Sequence, residues 1–383
     1  MSESAPLSSP KSDWYLSKYL KGDPVIWIVV LLLALISILV VYSATGTLAF
    51  KRADQNMEYY LFKHSVLMVF CFATIWLCHN IDYRYYSRLS RFALLASVPL
   101  LLITLKFGTT INEATRWLTI PFINQTFQPS DLAGFALIAN TASMLSKRQR
   151  NIKEFQRAIM PVLFWCGLIC CLISLSDFSG GALLFINCMV VMFIGRVPVR
   201  YLLILALVGA LAGFIAFKLG ERGGTVRNRT AAYLSEDVPF QAQQAFVAIA
   251  IGGLSGKGPG NSTQRSILPY PFSDFVFAIL VEEYGMLGGL LVVVLYLILL
   301  FRGMKAMAHS DTAFGGLLSA GLAFYLVMQA MVHIGVTVGL LPITGLPLPI
   351  LSMGGTSLLF TGMTIGVILS VSRGVRPNAN IAA

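Results

Sequence analysis

Long apolar runs separated by short polar stretches fill most of the chain, and most of the runs reach the roughly 17–25 residues that carry a helix across a bilayer. Ten are predicted to span: 25–44, 61–79, 89–105, 129–145, 158–175, 180–194, 201–219, 275–300, 314–340 and 351–371. The pattern predicts an all-α polytopic membrane protein with about ten transmembrane helices and a large loop, about 220–274, between the seventh and eighth. Residues 1–24 read as a polar tail, 25–372 as one transmembrane domain and 373–383 as a second tail. The first apolar run is too long for a cleavable signal peptide.

Composition agrees, with 56% hydrophobic and 12% charged residues, far too apolar for a soluble globule. Lys147, Arg148, Arg150, Lys153 and Arg157 form the strongest basic cluster, which places that loop and both termini in the cytoplasm and 220–274 outside. The net charge of +11 is then mainly a topology signal and gives no reason to read nucleic-acid binding. All six cysteines fall within apolar runs, without zinc-like spacing, and read as packing residues. No internal repeat suggests an inverted-repeat transporter.

Candidate chemistry gathers in three places. The densest is 240–283, where Gln241 and Gln244 open a short helical pattern with Phe246, Ile249 and Ala250 on its apolar side. A glycine-rich run, 252–260, follows; Gly258 after Lys257 and Ile251 at the first glycine position exclude a P-loop. Lys257 and Arg265 flank Asn261 and Gln264, and Asp274 stands at the threshold of the next apolar run. By residue type, Ser273 and Asp274 suit a helix cap as well as a catalytic base. Glu282 and Glu283 lie roughly 12 Å farther along a helix, where a structural pair and a substrate cavity are both reasonable.

The second place is 340–357, apolar but broken by Pro342, Pro347, Pro349 and three glycines, and it contains Ser352. Irregular backbone at that depth has to be buried in protein or line a wet cavity, so this stretch is expected to fold over the external mouth, facing 240–274. The third is 108–131. There Arg116 beside Trp117 fits an interfacial anchor or a phosphate ligand equally well. Ser130 and Asp131 read as an N-terminal cap, and Asp177, between two later spans, as a turn former.

Together these stretches resemble the SEDS proteins (shape, elongation, division and sporulation), over nearly the whole chain from Tyr42-Ser43-Ala44 to Gly366. Gly260-Asn261-Ser262 followed by Gln264-Arg265 is closer to the division branch, FtsW, than to the elongation branch, RodA. The resemblance implies a peptidoglycan glycosyltransferase that polymerises lipid II on the outer face of a bacterial cytoplasmic membrane, at the division septum. It also implies a class B penicillin-binding protein as partner, alongside other division proteins. Ser273-Asp274-Phe275 corresponds to the family's Thr-Asp-Phe, making Asp274 its catalytic acid/base position; Arg116-Trp117 and Gln128-Pro129-Ser130-Asp131 match two further motifs.

The substrate-binding set expected on this basis is Arg116, Trp117, Gln128, Ser130, Arg229 and Gln241, with Gln244, Lys257, Asn261, Gln264, Glu282 and Ser352. A divalent cation, Mg2+ or Mn2+, is expected to assist the leaving group, with no ligand cluster visible in the sequence. This chain departs from the family pattern at Gly134, where Lys is usual, at Thr115 for Arg, at His333 for Asn and at Met353 for Tyr. Lys257, Arg229 and Arg265 are left as substitute cations for a pyrophosphate. Two rivals stand beside the enzyme: a transporter of the lipid-linked precursor using Glu282, Glu283 and His333, and a non-catalytic division scaffold.

Overall fold

The computed structural model describes residues 20–51, 57–111, 114–120, 125–152, 154–219 and 239–374. Each predicted span coincides with a helix, although the helices of the first and eighth spans run seven and eight residues past the predicted ends. They are α1 (Pro24–Lys51), α2 (Met57–Asn80), α3 (Tyr86–Phe107), α4 (Pro129–Lys147) and α5 (Met160–Ser176). Then come α6 (Phe178–Ile194), α7 (Val199–Leu219), a shorter α8 (Phe240–Gly252), α9 (Val276–Ala308), α10 (Ala313–Thr337) and α11 (Gly355–Arg373). Seven of these segments are long and apolar enough to cross a membrane on their own. α4 falls short through polar residues such as Asn140, Thr141 and Ser143, which it can carry because it is buried nearly all round and its neighbours replace lipid. α10 is the other central helix. Its Ser319 hydroxyl donates to the Gly303 carbonyl of α9 at 2.9 Å, and a Cβ on Gly303 would meet that of Ala323 at 2.4 Å, so small residues set the approach.

Three features depart from the expected pattern. The stretch between α3 and α4 holds a small antiparallel sheet, β1 (Thr109–Ile111), β2 (Ala114–Ile120) and β3 (Gln125–Phe127), with β2 central. α8 buries Ala242, Ala245, Ala248 and Gly252 instead of the bulkier side expected of it, because a Cβ at Gly252 would lie 2.2 Å from the Val281 carbonyl and only a smooth face can come that close. α9 is interrupted at Gly285.

The bundle has two chemically distinct ends. At one, the Asp23 N–H donates to Ser372 Oγ at 3.0 Å, Arg302 pairs with Asp23, Tyr83 meets Thr312 at 3.1 Å, and Gln149 reaches the Gly195 carbonyl at 3.3 Å. The basic 147–157 segment belongs to this end. The other end holds the two irregular loops, the sheet and the start of α9. Asp274 and the basic cluster thus lie at opposite ends of the bundle, as the charge-based sidedness requires.

Candidate active site

The first loop is spliced into α9. Gly285 adopts φ 72°, ψ −176°, a conformation in effect reserved for glycine. The break frees the carbonyls of Glu282 and Glu283 to accept the N–H groups of Lys257 and Gly258, both at 3.0 Å. The N–H groups of Met286 and Leu287 turn to the carbonyls of Gly253 and Leu254, at 2.8 and 3.3 Å. A Cβ on Gly285 would sit 2.2 Å from the Leu254 oxygen, and one on Gly256 2.2 Å from the Glu283 oxygen. Two glycines are therefore required for backbone to meet backbone here.

The carboxylates complete the splice. Glu282 accepts from Lys257 Nζ (3.0 Å), Ser262 Oγ (2.5 Å), the Thr263 N–H (2.9 Å) and hydroxyl (2.8 Å), and the Gln264 N–H (3.3 Å). Glu283 takes the Ser43 hydroxyl from α1 and the Ser262 N–H at 3.4 Å. Arg265 joins them by donating to the Ser43 carbonyl and hydroxyl at 3.2 and 3.0 Å. Both glutamates are buried; the partners of Glu282 answer the cost of a carboxylate in an apolar setting, while those of Glu283 serve one oxygen and leave Oε2 without a hydrogen bond. Of the two readings of this pair the geometry supports the structural one: Glu282, expected to bind substrate, holds the loop.

The second loop, 342–354, lies against the start of α9, as its composition predicted. The Met353 N–H donates to the Phe272 carbonyl at 2.9 Å, and Ser352 Oγ donates to the Ser273 carbonyl at 2.8 Å. The Ser352 hydroxyl also accepts the Leu348 N–H at 2.8 Å. Ser352 is 2% exposed, so it is a strut between loops and not the substrate contact expected of it. Asp274 is half-buried and accepts a hydrogen bond from Ser273 Oγ at 3.2 Å. The N-cap position of α9 is Phe275, without a side-chain cap, so Asp274 stands one residue outside the position a capping role would give it.

A narrow polar cleft opens nearby between α4, α5, α6 and α10, lined by Gln128, Ser130, Asp131, Asp177, Tyr325 and Gln329 with apolar neighbours. Arg116 on β2 reaches into this region and pairs with Asp177 at 3.1 Å, their side chains 14% and 3% exposed. Asp177 also caps α6 by accepting the Gly180 N–H at 3.0 Å. It is thus a buried counter-ion as well as the turn former read from the sequence. Arg116 Nε and Asp131 Oδ2 are buried with no hydrogen-bond partner. Where the family pattern has Lys, a Cβ on Gly134 would lie 3.5 Å from the Tyr325 hydroxyl, so Tyr325 occupies the space beside Asp131.

Most of the expected site residues therefore fall into three groups. Lys257, Asn261 and Gln264 are gathered around Glu282, with Asn261 Nδ2 on the Lys257 carbonyl at 3.1 Å. Ser352 joins Ser273 and Asp274. Gln128 and Ser130, bonded at 3.0 Å, line the cleft, while Trp117 is half-buried on β2 and its carbonyl accepts from Thr109 Oγ1 at 3.0 Å. Gln241 is exposed and Gln244 half-buried on α8. Arg229 lies outside the described residues. Among the described residues no group of three or more His, Cys, Asp or Glu is placed to hold a metal ion. Sequence reasoning missed Asp177 as a counter-ion, and Tyr296 and Gln329 altogether.

A family model described as cell cycle protein, FtsW/RodA/SpoVE, matches residues 23–376. Stage V sporulation protein E of Bacillus subtilis (strain 168) is 32% identical over 369 residues, covering 93% of this chain and 98% of that protein. A probable peptidoglycan glycosyltransferase FtsW of Geobacter sp. (strain M18) is 31% identical over 363 residues, covering 92% and 97%. Among solved structures, the rod shape determining protein RodA of Thermus thermophilus superposes with a TM-score of 0.67 at 25% identity, over 94% of this chain and 100% of that one. A chain from a peptidoglycan synthase complex, described as coordinating polymerization and crosslinking, shares the fold with a TM-score of 0.75 at 24% identity, with the same coverage.

Proposed function

Because the chain belongs to the cell cycle protein family of FtsW, RodA and SpoVE, we propose that it is a peptidoglycan glycosyltransferase that polymerises lipid II during septal wall synthesis. The 4-hydroxyl of an acceptor sugar attacks the anomeric carbon of a lipid-linked donor with inversion. The bond from that carbon to the pyrophosphate breaks, and polyprenyl pyrophosphate leaves with the electron pair. Asp274 takes the hydroxyl proton as general base, and positive charge stabilises the departing pyrophosphate.

The observation that carries this reading is the setting of Asp274: half-buried, outside the cap position of α9, and lodged where two irregular loops meet. Arg229, Lys257 and Arg116 are assigned to the pyrophosphate. Lys257 Nζ is partly exposed beside Glu282, and Arg116 Nε keeps an unused donor. Mg2+ or Mn2+ bound mainly through donor phosphates and water would need one or two carboxylates at most, and would add positive charge at the leaving group. A class B penicillin-binding protein is the proposed partner, and the likeness to a chain of a peptidoglycan synthase complex supports an assembly of that kind. The transporter reading gains no support, because Glu282 and Glu283 are engaged with the loop and His333 with the Leu346 carbonyl.

The test is purified protein in bilayers, with and without the partner, given lipid II and divalent cation. Glycan polymer on a gel is expected. Precursor moved across the bilayer without polymer would favour the transporter.

A further inference from the structure

Prolines 342, 347 and 349 remove three backbone donors from the second loop, and its irregular path leaves carbonyls that no helix or sheet can satisfy. Side chains from three helices supply the missing donors. Gln329 Nε2 donates to the Pro347 carbonyl at 3.0 Å and His333 Nδ1 to that of Leu346 at 2.8 Å, both from α10. Tyr296 of α9 donates its hydroxyl to the Pro349 carbonyl. Ser37 of α1 donates to the Leu351 carbonyl at 3.0 Å. The Ser37 hydroxyl has a single proton, so its 2.9 Å contact with His64 Nε2 is a bond donated by the imidazole. That bond aims the hydroxyl at the loop.

Between the Pro349 and Leu351 anchors lies Ile350, buried and held at φ 68°. A β-branched residue occupies this region only when its surroundings dictate it. The loop is therefore fixed along its length, and its far end grips 272–273 through Met353 N–H and Ser352 Oγ.

Resting on the reading of Asp274 as general base, we propose that loop 342–354 is the element that positions Asp274, with Ser352 the positioning residue at its point of contact. Tyr296, His333 and the Ser37–His64 pair hold the loop to the bundle. They touch neither substrate nor the reacting atoms and act through the Phe272 and Ser273 carbonyls, just before the base.

The test measures lipid II polymerisation by the purified full chain with its partner, separating kcat from KM, with thermal midpoints recorded in parallel. Ser352→Ala is expected to lower kcat by about 10- to 100-fold, the scale of a misplacement near 1 Å, with KM within about threefold and a midpoint lower by only a few degrees, since the buried Leu348 N–H loses its acceptor. Ser352→Thr, which keeps the hydroxyl, should restore most of kcat. His333→Leu should lose kcat and His333→Asn, which retains a donor for the Leu346 carbonyl, should recover it. Combined with Asp274→Asn, Ser352→Ala should cause little further loss, because the two changes remove the same proton transfer. Normal kcat in Ser352→Ala while Asp274→Asn is inactive would overturn the positioning role and leave the base reading standing. Equal losses from Ser352→Ala with and without Asp274 would overturn it too. An active Asp274→Asn protein would instead sink the base reading beneath it. If Ser352→Ala does not fold, Tyr296→Phe, which removes one loop anchor and keeps the ring, decides by the same split of kcat from KM.

Discussion

Replacing Glu282 by Ala should release the glycine-rich loop without unfolding the bundle. Five hydrogen bonds end on this carboxylate. Lys257 and Thr263 can turn to water once it is gone, whereas Ser262 and Gln264 are buried at 4% and 6% exposure and lose their acceptor. Each stranded buried donor costs about 1–3 kcal/mol, so the closed loop should be weakened by about 2–6 kcal/mol. At roughly 1.4 kcal/mol per factor of ten, even 3 kcal/mol raises the open fraction about 100-fold. Trypsin can read this at Lys257-Gly258 and Arg265-Ser266, because cleavage follows the open population when reclosing is fast. Initial cleavage should rise about 30-fold or more in Glu282→Ala and by less in Glu282→Gln, while the thermal midpoint of the protein moves by only a few degrees. Cleavage at the wild-type rate would refute the clamp.

Three further outcomes follow from the same geometry. Gly285→Ala needs a glycine-only conformation and a Cβ 2.2 Å from the Leu254 oxygen, so folded yield should collapse. Gly167→Ala, inside α5 with nothing within 4 Å of its Cβ, should melt at or slightly above the wild-type midpoint. Arg116→Ala strands the buried Asp177 and should cost about 3–5 kcal/mol; adding Asp177→Asn, which can still cap α6, should recover part of that in thermal melts. For sidedness, an impermeant thiol reagent outside the cell should label cysteine at exposed Asn261 and spare it at exposed Arg150; the reverse would invert the topology.

The spans were legible because apolar runs of membrane length have few other ways to fold. The place of Asp274 at the head of α9 was legible from the apolar run that follows it, and the contact between the two loops from their shared irregularity. The break at Gly285 was not, since one glycine in an apolar run also fits a continuous helix. Its signal was Glu282-Glu283, two carboxylates that had to find partners inside protein. α8 misled because bulky residues normally mark the buried face, whereas a close backbone approach demanded alanines. The Arg116–Asp177 pair joins distant segments, so neither side chain announces the other. Ser37, Tyr296 and Gln329 are single polar residues inside apolar helices, which gives no sign of their partners. The three prolines were the clue, because every N–H they remove leaves the loop more dependent on donors from elsewhere.

The most direct measurement is polymerisation of lipid II by purified Asp274→Asn protein with its partner and divalent cation, beside wild type at matched folded concentration. The asparagine keeps the side-chain oxygen that accepts from Ser273 and loses only the basic carboxylate. The base role of Asp274 predicts a folded, partner-binding protein whose glycan output falls by about 100-fold or more. Output within a fewfold of wild type would contradict it and remove Asp274 from the chemistry.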